Sequence, residues 1–109
     1  MNKKLIRINF GAKMNNEVTT EKLDNYFDVS NRAIKMVEEK GFDKSRIDQA
    51  KDFLDMAKRY NSDAYHFREK GDYVLAFAAL NYAHGWLDAG ARIGLFLVKD
   101  STLFTVDDE

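Results

Sequence analysis

The chain has 109 residues, with 17 Lys and Arg against 18 Asp and Glu; the net charge of −1 supplies no overall attraction to nucleic acid or to an anionic membrane. Cysteine is absent, which excludes disulfides, thiolate metal sites and cysteine nucleophiles and fits a cytoplasmic protein. A hydrophobic content of 45% is enough for one core in one domain, and with no proline and only six glycines, long helices run uninterrupted and loops are few.

Residues 1–18 read as an N-terminal arm. Ile6, Ile8 and Phe10 alternate with Arg7 and Asn9 in a strand pattern that Gly11 ends, so the arm is extended or flexible. The apolar run after Met1 is short and interrupted by Arg7, unlike a signal peptide. No uncharged stretch approaches the ~20 apolar residues of a membrane span.

A first helix is expected from Thr19 or Thr20, either of which can cap it, with Glu21 in the first turn where the helix dipole favours negative charge. Leu23, Tyr26, Phe27, Ala33, Ile34 and Val37 form its apolar face, and Gly41 suits the left-handed C-cap. Asp43, or Ser45 with Asp48, opens a second helix. Its seam is Ile47, Ala50, Leu54, Ala57, Asn61 and Ala64, flanked by Phe53, Tyr60 and Phe67 at seven-residue intervals. Gly71 ends this helix and Asp72 caps a third, expected over Tyr73 to Val98. The third seam runs Tyr73, Ala76, Leu80, Ala83, Leu87, Gly90, Gly94, Leu97. Short turns make neighbours antiparallel, so the reading is an all-α, up-down-up three-helix bundle over residues 19–106 with short extended terminal segments. Leu103 to Val106 is apolar and β-prone, suited to fold back on the bundle or to pair with the Ile6–Phe10 segment. Residues 107–109 form an acidic tail.

The third helix carries most of the functional information. Asp88 and Arg92, four apart, are its only formal charges, and apolar residues lie off the seam nearly all round. Two neighbouring helices cover about half of such a rod. Either the termini wrap the rest or a second copy docks there, since monomers avoid large exposed apolar patches. The expected partners are therefore another copy, giving a homo-oligomer (a dimer), and a protein partner, through Val74, Phe77, Ala78, Gly85, Trp86, Leu95 and Phe96; no cofactor or metal is expected. Gly90 and Gly94 lie on the seam and suit packing within the monomer, whereas Gly85 lies off it and suits an outer contact.

Asn81, His84, Asp88 and Arg92 share one face of this helix. Asn61, in the seam of the second helix, lies as far from Gly71 as Asn81 does, so antiparallel pairing would level the two. The expectation is a polar cluster of Asn61, Asn81 and His84, with Tyr60 and Tyr82 at hand, which would fix helix register or, as an alternative, hold a small ligand at Asn81, His84 and Asp88. Two histidines and no cysteine make a poor metal set.

Arg59 and His66, seven apart on the second helix, resemble the catalytic pair of HEPN-type helical ribonucleases. That resemblance implies a nucleic-acid-acting domain with Arg59 holding phosphate and His66 as general base. Lys44, Arg46, Lys51, Lys58 and Arg59 are interleaved with Asp48, Asp52 and Asp55, the mixed-charge pattern of an ordinary outer face.

The run from Gly71 to Arg92, above all Asn81-Tyr82-Ala83-His84-Gly85-Trp86-Leu87-Asp88-Ala89-Gly90, resembles the archaeal family called domain of unknown function 357, as do Phe53 to Tyr60 and Leu103 to Val106. The resemblance covers residues 20 to 106 and implies a small up-and-down three-helix bundle, with no activity to carry over. Its signature coincides with Asn81, His84 and Asp88. The reading taken forward is a non-enzymatic, self-associating protein-interaction module.

Overall fold

A computed structural model describes residues 15–108 of the chain. The Ile6–Phe10 segment, and with it most of the arm, lies outside the described residues. The described residues form three α-helices: α1 (Thr20–Lys40), α2 (Ile47–Glu69) and α3 (Tyr73–Arg92). A 3-10 turn, Lys44–Arg46, leads into α2, and the described residues contain no strand.

Local chemistry sets most of the boundaries. The Thr19 side chain accepts from the Lys22 backbone N–H, opening α1. Gly41, at φ +86°, closes it. Asp43 accepts from the Ser45 N–H and caps the 3-10 turn rather than α2 itself. Gly71, at φ +79°, turns the chain, and Asp72 accepts from the Leu75 N–H to start α3.

Small residues draw α2 and α3 together, and these two share the most extensive helix–helix contact among the described residues. Ala50, Ala57 and Ala64 of α2 are buried, as are Ala76, Ala83 and Gly90 of α3. The core has two parts. One gathers Leu23, Phe27, Ala64, Ala76 and Leu80 near the α2–α3 turn. The other gathers Val37, Leu54, Leu87 and the C-terminal segment at the opposite end. Between them sits Ser30, only 2% exposed, whose hydroxyl accepts from the Asn61 side-chain amide at 2.9 Å.

The third helix is shorter than its heptad pattern predicts. It stops at Arg92 instead of continuing to Val98. Gly94 takes φ +78°, and the N–H groups of Leu95 and Phe96 both reach back to the Gly90 carbonyl, at 2.8 and 3.3 Å. This reversal places Phe96, 2% exposed, against the end of the bundle, while Leu97, expected in the seam, is 52% exposed. The burial gained by Leu95 and Phe96, about 1.5–3 kcal/mol each, outweighs one further helical turn with these residues half in solvent. A backbone clip secures the segment: Asp43 N–H donates to the Leu95 carbonyl at 2.9 Å and Leu97 N–H to the Gly41 carbonyl at 3.0 Å. Arg46 adds a bond from its guanidinium to the Ile93 carbonyl at the end of α3.

From there the chain folds back along α3, and Val98, Leu103 and Phe104 are buried. Asp108, in the expected acidic tail, accepts from the backbone N–H and hydroxyl of Ser101.

Gly90 and Gly85 should respond oppositely to substitution. A Cβ at Gly90 would lie 2.3 Å from the buried Phe96 ring, whereas one at Gly85 meets nothing within 4 Å. Gly90→Ala is expected to destabilise by about 1–3 kcal/mol through overpacking. Gly85→Ala is expected to stabilise by about 1 kcal/mol through helix propensity. Urea denaturation of the two variants in dilute solution checks the signs.

Candidate functional site

The polar residues singled out in the sequence serve separate contacts. Asn61 faces α1, where its amide donates to Ser30 Oγ and to Asn31 Oδ1 at 3.2 Å; Asn31 in turn donates to the Tyr65 hydroxyl at 2.7 Å. The expected Asn61–Asn81 pairing is therefore not made. Asn81 is exposed on α3 and its amide donates to the Phe77 carbonyl one turn earlier. Equal distance from the turn levels two residues along the helices but leaves their faces undetermined, and α1 is the neighbour Asn61 meets.

Asp88 is committed to the C-terminal segment. Its carboxylate accepts from the Thr105 N–H at 2.7 Å and from the Thr105 hydroxyl at 2.9 Å. His84 Nε2 stands 3.9 Å from Asp88, beyond hydrogen-bond range, and the imidazole stacks on Phe104 with ring centroids 6.4 Å apart. Its buried Nδ1 has no hydrogen-bond partner among the described residues. Arg92 is exposed and makes no ion pair with Asp88 among the described residues. His84 and Asn81, with Tyr26, Val29, Ser30 and Leu80, line a hollow of about 340 Å³ between α1 and α3. Asp88 is not part of its wall, so the small-ligand constellation of Asn81, His84 and Asp88 does not converge there.

Arg59 and His66 are both exposed on α2, about 10.5 Å apart along its axis. The Arg59 guanidinium is bound to Asp55 at 2.8 Å. No group of three or more His, Asp or Glu among the described residues is placed to hold a metal ion, and no described helix is long and apolar enough to cross a membrane.

The apolar candidates sort into three places. Leu95 and Phe96 are buried in their own chain and leave the outer surface. Phe77 is half-buried against α1, edge-on to Tyr26 with centroids 4.6 Å apart and with Lys22 Nζ over its ring. Val74, 68% exposed, Ala78, Gly85 and the half-buried Trp86 remain on the side of α3 that neither α1 nor the C-terminal segment covers.

Leu75 and Tyr82, absent from the sequence-derived interface, belong with them. Leu75, Ala78, Tyr82, Gly85 and Ala89 are all exposed and recur at steps of three and four, a second heptad stripe alongside the buried one. This spacing is legible in the sequence, but three of the five residues are Ala or Gly, a weaker apolar signal than the large side chains around them. From α2, Phe53 meets Trp86 edge-on at 5.0 Å and Tyr60 meets Tyr82 edge-on at 4.4 Å. The result is a strip of aromatic rings and small residues with one carboxylate, Asp63, at its α2 edge. Tyr82, 54% exposed, stands up between two shallow hollows. One is floored by Gly85 and Ala89, the other by Ala78 and Ala79.

Compared with known proteins, residues 25–96 match the family model described as "Protein of unknown function (DUF357)". No curated protein and no solved structure matches the chain.

Two outcomes follow from the C-terminal ties. Asp88→Ala, which removes both bonds, should destabilise by about 1–2 kcal/mol, Thr105→Val, which removes the hydroxyl bond alone, by about 0.5–1 kcal/mol, and the double variant by less than their sum, because the hydroxyl bond is lost in both; a denaturation double-mutant cycle measures the coupling. The second concerns acid. Bonds from the Thr102 hydroxyl and backbone N–H hold Asp100 below the ordinary carboxylate range, and bonds from the Ser101 N–H and hydroxyl do the same for Asp108. With folded values depressed, their contribution is complete above the usual pKa of about 4 and is lost as pH falls through the lower folded values. Carboxyl NMR titration should find both below that range, with the Ser101 amide resonance moving as Asp108 protonates.

Proposed function

Because this chain belongs to the DUF357 family, whose description assigns no activity, we propose its function from the surface it presents: a non-enzymatic helical module that pairs with a second copy of itself through the α2–α3 face and so acts as a protein-interaction unit. The observation that carries this reading is the second apolar stripe of α3, Leu75, Ala78, Tyr82, Gly85 and Ala89, left uncovered after the C-terminal segment has folded back.

Energetics supports it. Full burial of a large apolar side chain contributes about 1.5–3 kcal/mol, and Leu75, Tyr82 and Val74 each keep roughly half or more of their surface in solvent, so covering them recovers about half of that apiece. From Leu75 to Ala89 the stripe is about 21 Å long, and with its α2 flank the face is about 20 Å wide. A corrugated strip of about 420 Å² in projection is about half the ~800 Å² per partner of standard interfaces, a size at the low end of specific interfaces. The nuclease reading has less behind it, since Arg59 is engaged by Asp55 and separated from His66 along the helix.

Sedimentation equilibrium at micromolar concentration should give twice the chain mass. Tyr82→Glu, which adds a charge at the centre of the strip, should give a monomer with unchanged helix content. A wild-type chain that sediments as a monomer throughout that range defeats the proposal.

A further inference from the structure

We infer that the second copy docks with its α3 antiparallel, so that Tyr82 of each chain sits over the partner's Gly85 and Ala78 lies against the partner's Ala89. The inference rests on the pairing reading above and fixes the geometry of that pair.

The strip is self-complementary in one direction only. Along its heptad, Leu75, Tyr82 and Ala89 occupy one set of positions and Ala78 and Gly85 the other. In a parallel pair each residue meets its own copy, so the Tyr82 rings collide and the Gly85 hollows face each other empty. In an antiparallel pair the two sets alternate across the contact, and the protruding Tyr82 ring meets the partner's hollow over Gly85 and Ala89. A Cβ built on Gly85 meets nothing within 4 Å, so that hollow is open to receive a ring. The hollow measures about 290 Å³ and is walled by Phe53 and Trp86.

Three further observations favour a copy of this chain as occupant. Edge contacts with Tyr60 and Trp86, at 4.4 and 6.4 Å between centroids, already hold the Tyr82 ring, so docking it costs little side-chain freedom. The five stripe residues carry no charge, and Asp63, on the wall of the hollow over Ala78 and Ala79, comes to opposite ends of an antiparallel pair, so two identical strips meet without bringing like charges together. Antiparallel alignment also lays the two α3 macrodipoles side by side in opposite directions, where they attract. A knob and its matching socket on the same surface is the requirement of an isologous two-fold contact, in which residue i meets j and j meets i.

The cysteine-free chain permits a direct test. Ala78→Cys and Ala89→Cys lie at exposed positions, and circular dichroism verifies that each variant keeps its helix content. Each is treated with a short bis-maleimide alone, and then the two are mixed. The expected result is covalent dimer in the mixture and little in either variant alone. Dimer mass by sedimentation with each variant linking to itself overturns the antiparallel register while leaving the pairing reading intact. Dimer mass with no cross-link in any arm overturns the assignment of the contact to this stripe. Monomer mass in the unmodified chain overturns both.

Discussion

α3 carries apolar side chains on more of its circumference than two neighbouring helices can cover, and much of the structure answers that excess. One side faces α1 and α2 through Ala76, Leu80, Ala83 and Leu87. A second side is covered by the chain's own C-terminus. That cover depends on a reversal at Gly94, on the notch at Gly90 that admits the Phe96 ring, and on the Thr105 bonds to Asp88. The third side stays open, and the proposed function rests on it.

The open side is a by-product of how α2 and α3 approach. Alanines at Ala50, Ala57 and Ala64 bring the two helices close, which leaves no room between them for large side chains. The aromatic residues of α2, Phe53, Tyr60 and Phe67, therefore stand on the flank, where they meet Trp86, Tyr82 and the first turns of α3. Close packing inside and an aromatic strip outside are two results of the same alanine spacing. The strip is also firm, because its rings brace one another edge to edge.

The polar residues divide the remaining work. Ser30 and Asn61 join α1 to α2 between the two halves of the core, where a mutual hydrogen bond offsets the cost of burying them and ties the register of the two helices. Asp88 acts on the C-terminal segment, and His84 stacks beneath Phe104 of that segment. Much of the family-like signature on α3 thus has structural work to do: Asp88 holds Thr105, Gly90 admits Phe96, and Tyr82 and Trp86 brace the outer strip.

The sequence by itself determined three helices, their order and nearly all their ends, because those signals act within a few residues. Thr19, Gly41, Gly71 and Asp72 set the chain's course through bonds or backbone angles in their own turn. It also determined that α3 has more apolar surface than the bundle hides, since that follows from the near absence of charge between Tyr73 and Arg92. Only the tertiary structure decided where α3 ends, which helix Asn61 faces, and that Asp88 holds Thr105 in place of forming a site with His84. Each of these turns on a contact with a distant or reversed part of the chain. A heptad pattern runs straight through Gly94 on paper, but the burial available to Phe96 at the Gly90 notch exists only once α2 and α3 have packed.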